Sequence, residues 1–251
     1  MLTNPIMEKL SAMRLNGMAK ALAEQMEMSD LGTLSFEERL GLMVDREMSQ
    51  REDRRLQTRL RKAKLRVPAC VEDIDFRHKR GLDKSLIMAL AACEWIKGRQ
   101  NLIITGPTGA GKTYLACALV HKSCLEGHSA VYRRLPNLLR EITMARADGS
   151  YPKKMAAYAK TNLIALDDWG LDRLTREQAL DLLELLEDRH GLKSTLVAAQ
   201  VPIDHWHEII GDPTLADAVL DRLIHSAHKI NLKGESMRKK YSALTKEEQK
   251  S

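Results

Sequence analysis

No stretch of this chain is long and apolar enough to suggest a membrane helix. Its apolar runs are strand-sized, far short of the roughly eighteen residues such a helix needs. The opening MLTNPIMEKLSAMRLNGMAK mixes acid and base into its apolar pattern and lacks a signal-peptide layout. These absences point to a cytoplasmic protein with no membrane attachment. The four cysteines, Cys70, Cys93, Cys117 and Cys124, contain no C-x-x-C pair. They read as reduced core residues, not as disulfides, metal ligands or redox centres. His205 with His207 and His225 with His228 are close in sequence, but no thiol or carboxylate completes a ligand set at metal spacing, which argues against a structural metal. Internal repeats and low-complexity segments are also missing.

What is present is ordinary globular composition, 44% hydrophobic and 29% charged over 251 residues, enough for one large domain with a core and a smaller one. The formal net charge of +6 is unevenly spread. Between Arg51 and Arg66 eight bases (Arg51, Arg54, Arg55, Arg59, Arg61, Lys62, Lys64 and Arg66) face two acids, and the tail from Lys229 onward carries seven bases against three acids. The rest of the chain is therefore slightly acidic.

Residues 1–66 read as a small all-α domain. Leu15, Met18, Ala19, Leu22 and Met26 recur at helical spacing. Ser35 stands three residues before Glu38 as a capping box, and the pattern then runs without proline to Leu65, about 45 Å of helix whose second half is the basic stretch. Pro68 and a change from basic to acidic mark 67–75 as a linker. From 76 to 251, strand-like and helix-like segments alternate: NLIIT (101–105), a helix from Lys112 to Glu126, AVYRR (130–134), the helical LPNLLREITMARA, and NLIALDD (162–168). Thr175 and Gln178 form a second capping box, opening a helix with Ala179, Leu182, Leu183 and Leu186 inward and Gly191 after its end; STLVAAQ (194–200) follows. Alternation of this kind predicts an α/β domain with a mainly parallel sheet and helices on both faces.

GPTGAGKT, comprising Gly106, Pro107, Thr108, Gly109, Ala110, Gly111, Lys112 and Thr113, fits G-x-x-x-x-G-K-[ST] in full. Glycines let the backbone curl so that several N–H groups converge on one anion, and the helix that follows adds its positive end. The pattern assigns Lys112 to the β- and γ-phosphates of ATP and the Thr113 hydroxyl to Mg²⁺. NLIALDD supplies carboxylates where ligands bind in parallel sheets, at the carboxyl end of a strand. Asp167 is the candidate for the Mg²⁺ shell and Asp168 for orienting the attacking water. Aspartate is one methylene shorter than the glutamate many such ATPases carry, which predicts slow or partner-dependent hydrolysis. Gln200, at the end of the next strand, is a candidate contact to the γ-phosphate or to the attacking water. Arg222 and Arg238 are isolated arginines whose spacing alone assigns them nothing.

With these motifs in hand, LIALDDWG, GDPTLADAVLDRLIHSAH and KGESMRK resemble the initiator-type AAA+ ATPases, which have a P-loop three-layer sandwich fold. More narrowly, they resemble the IstB-like family of ATP-binding helpers encoded beside transposases in bacterial insertion sequences. The resemblance spans almost the whole chain, including MEKLSAMRLNGMAKAL near its start. It implies that Arg222 is an arginine finger reaching a neighbouring subunit's ATP site, that Arg238 is the second sensor and Gln200 the first, and that Leu135 to Tyr158 is the helical element by which such proteins stack. It also implies ATP-dependent assembly of a homo-oligomer on duplex DNA, deformation of that DNA, and recruitment of a cognate transposase. Ala198 and Ala199 stand where a hydroxyl residue is expected before Gln200, a departure from the pattern. On this reading the basic stretch 51–66 contacts the duplex backbone without regard to sequence; a solvated helix face is the alternative. A helicase loader of the DnaC type and a non-hydrolysing nucleotide-switch adaptor are the competing functions.

Overall fold

Leu102, Ile103 and Ile104 are as good as sealed from solvent, which is what a continuous apolar run achieves when both faces of its strand are covered. They belong to β1 (Asn101–Thr105) in a computed structural model that describes residues 5–28, 34–78, 80–234 and 236–237. β2 (Ala130–Arg134), β3 (Leu163–Trp169), β4 (Ser194–Ala199) and β5 (Ala227–Asn231) complete one sheet, ordered β2-β3-β4-β1-β5, with every pairing parallel. Side chains alternate across it. Ile103, Val131, Ile164, Leu166 and Val197 meet a cluster built from α7 (Leu135–Ala147), α8 (Tyr151–Lys160), α9 (Arg176–Glu187), α10 (Trp206–Ile210) and α11 (Pro213–Ile224). α6 (Lys112–Leu125) runs along β1 to β4 and packs on α4 (Lys84–Ala91), with the short α5 (Glu94–Lys97) beside α4. The result is a three-layer sandwich.

The chain divides into two compact units, residues 1–58 and 59–251. The first holds α1 (Pro5–Ala12), α2 (Asn16–Glu27) and most of α3 (Phe36–Ala63). Ser35 and Glu38 make the capping box in both directions, at 3.2 and 2.7 Å. Glu47 from α3 accepts the N–H of Gly17 at 2.6 Å and of Met18 at 3.3 Å, satisfying orphan donors of the first turn of α2. A Cβ on Gly17 would lie 2.6 Å from the Glu47 Cα, so glycine is what lets the two helices touch.

The division falls inside α3, not in the 67–75 segment that sequence composition suggests. The cause is local: Arg59 donates to the Cys124 carbonyl at 2.9 Å and Ala63 is completely buried, so the last turn of α3 packs with the sheet unit. β5 is not evident in the sequence because only Ile230 of AHKIN is deeply buried at this edge of the sheet. The Thr175–Gln178 capping box forms at 3.0 and 3.2 Å. In its helix Leu185 joins Ala179, Leu182 and Leu186 in the core, and Leu183 packs half-buried against it. Among the described residues no helix is long and apolar enough to cross a membrane. Cys93, Cys117 and Cys124 are buried and Cys70 half-buried, none in a disulfide. Burial pushes the thiols of Cys93 and Cys124 up to about 11, which keeps them protonated and inert.

Candidate functional site

The phosphate loop leaves the carboxyl end of β1 and returns as the first turn of α6. Gly111 caps that helix with φ +99°, a conformation that excludes ordinary side chains. A Cβ on Gly106 would lie 2.5 Å from the Leu232 carbonyl oxygen, so only glycine lets the loop run this close to that neighbouring backbone. Lys112 folds back over the loop, donating from Nζ to the Gly106 carbonyl at 2.7 Å and the Pro107 carbonyl at 2.9 Å. Its ammonium is thereby held where a phosphate entering the loop would meet it. On one side Thr108 donates to Gln200 Oε1 at 2.8 Å, so the residue after β4 faces the loop as its position suggests. On the other, the Met237 N–H bonds the Gly109 carbonyl at 2.9 Å. Arg238 itself lies outside the described residues.

Asp167 sits opposite, 1% exposed. Its Oδ2 accepts from the Thr113 hydroxyl at 2.7 Å and the Tyr132 hydroxyl at 2.5 Å, and its Oδ1 from the Asp168 N–H at 2.8 Å. Burial and this carboxylate together push the Tyr132 phenol well above its ordinary range, so it stays a donor. Asp168 adopts φ +59° at a β-bulge: between Leu166 and Trp169, β3 has one more residue than its partner segment in β4. An inserted residue re-aims the side chains beside it, and Asp is among the few residues that tolerate the left-handed region. The Asp168 carboxylate is thereby directed to Arg134, which donates to its Oδ2, and to Arg66, at 3.4 Å from the same oxygen. A cleft beside it is lined by Leu135, Leu139, Arg140, Leu171 and Arg173.

One carboxylate and one hydroxyl 2.7 Å apart, both hard oxygen donors, fit Mg²⁺, which takes few protein ligands and fills its shell with water and phosphate. Among the described residues no three His, Cys, Asp or Glu side chains converge as a metal cage.

Arg222 is not part of this assembly. Its carbonyl accepts from Asn101 Nδ2 at 2.9 Å, which fastens it at the amino end of β1, while the phosphate loop begins beyond the carboxyl end. Five strand residues, roughly 16 Å, intervene. Its guanidinium pairs with Glu187 at 2.6 and 3.3 Å and with Asp221 at 3.3 Å. Of the basic stretch, Arg51, Arg54, Arg55, Arg61, Lys62 and Lys64 are exposed, and Arg51 also pairs with Glu47 at 2.7 Å. Arg59 and Arg66 are the departures from an outward-facing charge stripe, one tied to the Cys124 carbonyl and the other to Asp168. Sequence reasoning missed Tyr132 and Arg134. The signal was there, since AVYRR puts residues two apart on one face of a strand that pairs beside the LDD segment.

A parallel sheet in this order, with a phosphate loop after β1 and a buried acid near the carboxyl end of β3, is the AAA+ P-loop fold. The solved structures agree. The chain superposes on the crystal structure of DnaI with TM-score 0.58 at 19% identity, covering 67% of this chain and 96% of that one. It superposes on AMPPCP-bound DnaA from Aquifex aeolicus with TM-score 0.57 at 14% identity, covering 72% and 57%. In sequence, 239 residues are 49% identical to a protein of Sinorhizobium fredii named as an insertion sequence ATP-binding protein, covering 95% of this chain and 98% of that one. Another 46% identical match over 203 residues, 80% of this chain and 88% of the relative, is named for ATP binding in insertion sequence IS1162 of Pseudomonas fluorescens. The profile of the IstB-like ATP binding protein family matches residues 8–245, and the chain belongs to that family.

Proposed function

We propose that this protein is an ATPase that assembles on duplex DNA, deforms it, and serves the transposase of its insertion sequence. The loop N–H groups and Lys112 bind the β- and γ-phosphates; Thr113 and Asp167 hold Mg²⁺, which when bound neutralises charge on the phosphates. Asp168 orients the attacking water, and Gln200 contacts the γ-phosphate. Arg222 completes the site of an adjacent copy. Exposed Arg54, Arg55, Arg61, Lys62 and Lys64 contact the DNA backbone, a sequence-independent attraction that weakens with salt. Bending 20–30 bp costs about 1–6 kcal/mol, within reach of several subunits binding side by side.

The observation that carries this reading is the length of β1 between Arg222 and the loop of the same chain. A finger mounted there serves only another copy. The test mixes two defective proteins. Arg222→Ala should bind ATP yet hydrolyse poorly, Lys112→Ala should fail to bind it, and an equimolar mixture should recover part of the turnover. No recovery removes the shared site. One feature favours a second reading, the non-hydrolysing adaptor: Asp168 already has two guanidiniums on one oxygen. Wild-type turnover equal to that of Asp168→Asn would support it.

A further inference from the structure

Arg66 ends the run of positive charge that begins at Arg51, yet its guanidinium turns to the phosphate-loop end of the sheet. Nη1 lies 3.4 Å from Asp168 Oδ2. The neighbouring Tyr132 phenol, and beyond it Asp168 and Asp167, hold the proton of this guanidinium more tightly than usual. Tyr132 in turn donates to Asp167. One side chain therefore touches Asp168 directly and feels the charge of Asp167 beside it. Arg134 occupies the same Asp168 oxygen. Two guanidiniums fill the lone pairs of that oxygen and fix the direction of the carboxylate, leaving a water only Oδ1 in the orientation they impose.

The two arginines are mounted differently. Arg134 stands on β2, paired in the ladder with Asp167, and moves only with the sheet. Arg66 lies three residues beyond the end of α3, in a segment without regular structure, its side chain 41% exposed. Arg61, Lys62 and Lys64 precede it, all exposed. An ion pair this open to water is weak and exchanges readily. A planar guanidinium fork matches a phosphate diester as well as it matches a carboxylate, and a cluster of neighbouring cations draws phosphate to it.

We propose that Arg66 is a positioning residue that restrains Asp168, and that the phosphate backbone of duplex DNA releases it by competing for the same guanidinium. The inference rests on the DNA-stimulated ATPase reading and assigns the contact through which stimulation acts. On release Arg134 still orients the carboxylate, while the vacated lone pair of Oδ2 takes the hydrogen bond from water. In the absence of DNA the restraint keeps turnover low.

The experiment compares steady-state ATP hydrolysis by the wild type, Arg66→Ala and Arg66→Lys, each with and without duplex DNA, alongside ATP affinity. Arg66→Ala should hydrolyse several-fold faster than wild type without DNA, respond little when DNA is added, and bind ATP normally. Arg66→Lys, which keeps the charge but not the fork, should lie between the two. Loss of turnover in the alanine variant with and without DNA, restored by lysine, would make Arg66 a support for hydrolysis and overturn the proposal. A wild-type basal rate with full stimulation in Arg66→Ala overturns it too. Should alanine weaken ATP binding, Arg66→Lys carries the test through its basal rate alone. A wild-type enzyme indifferent to duplex DNA sinks the function proposed above, and the restraint is then judged on basal rates only.

Discussion

The two ends of the sheet are both rich in arginine and polar groups but use them in opposite ways. At the carboxyl end the charged groups face one another: Asp167 takes Thr113 and Tyr132, Asp168 takes Arg134 and Arg66. Such partners can be exchanged for an incoming phosphate, cation or water. At the amino end Arg189, 1% exposed, spends its donors on the carbonyls of Tyr158, Thr161 and Ser194 and the hydroxyl of Thr195. Among the described residues no carboxylate pairs with it, and burial pushes its guanidinium pKa down. Backbone carbonyls have nowhere to go, so this arginine is a fixed tie between the end of α8 and the start of β4. The first end is built of partners that can be exchanged, and the tie at Arg189 of partners that cannot.

The sharpest way to break that contrast is to remove one cation from each end. Lys112→Ala deletes the ammonium above the loop. A hydrogen bond involving a charged group is worth about 1.5–3 kcal/mol, and Lys112 supplies more than one to a triphosphate, so ATP affinity should fall by about 100-fold or more. Unfolding measured without nucleotide should hardly change. Affinity equal to wild type in a fluorescent-nucleotide titration would place ATP elsewhere. Arg189→Met should do the reverse. Three carbonyls, two of them buried, lose their donor, at about 1–3 kcal/mol for each buried one, partly offset by removing an uncompensated buried charge. A net loss of about 3 kcal/mol in chemical denaturation is expected, with ATP affinity preserved at low temperature. A stability gain would mean that the charge, not the carbonyls, dominates this end.

The exchangeable end was largely legible in the sequence and the fixed end was not. Glycine spacing, the lysine and the hydroxyl announce the phosphate loop because the chemistry dictates the residue types. NLIIT, STLVAAQ and both capping boxes were equally plain, since periodicity and caps are local. The Asp168 bulge was invisible, because a left-handed φ on aspartate follows from how β3 pairs with β4. Arg66 looked like one more charge in a run, and only the path of the chain after α3 turns it toward Asp168. Arg189 was hidden for a similar reason: its carbonyl partners come from segments up to 31 residues away, and no side-chain pattern encodes them.

Glu187 gives the smallest and most discriminating comparison, because it makes Arg222 the exception at the amino end. Arg222 holds a carboxylate, not carbonyls, and that carboxylate is 57% exposed. The guanidinium in turn keeps the Glu187 carboxyl below its usual range. If the amino end only held the sheet together, this pair would be a minor surface tie. If Arg222 must leave for a neighbour's phosphate, Glu187 competes with that phosphate at every encounter. Glu187→Gln weakens the competitor without emptying the position. Thermal unfolding should barely move, since so open a pair contributes little to stability. ATP turnover should reach half its maximum at a lower protein concentration, because the finger is released more easily. A drop in unfolding temperature with no such shift would mean that Glu187 is structural and that the amino end has no exchangeable partner after all.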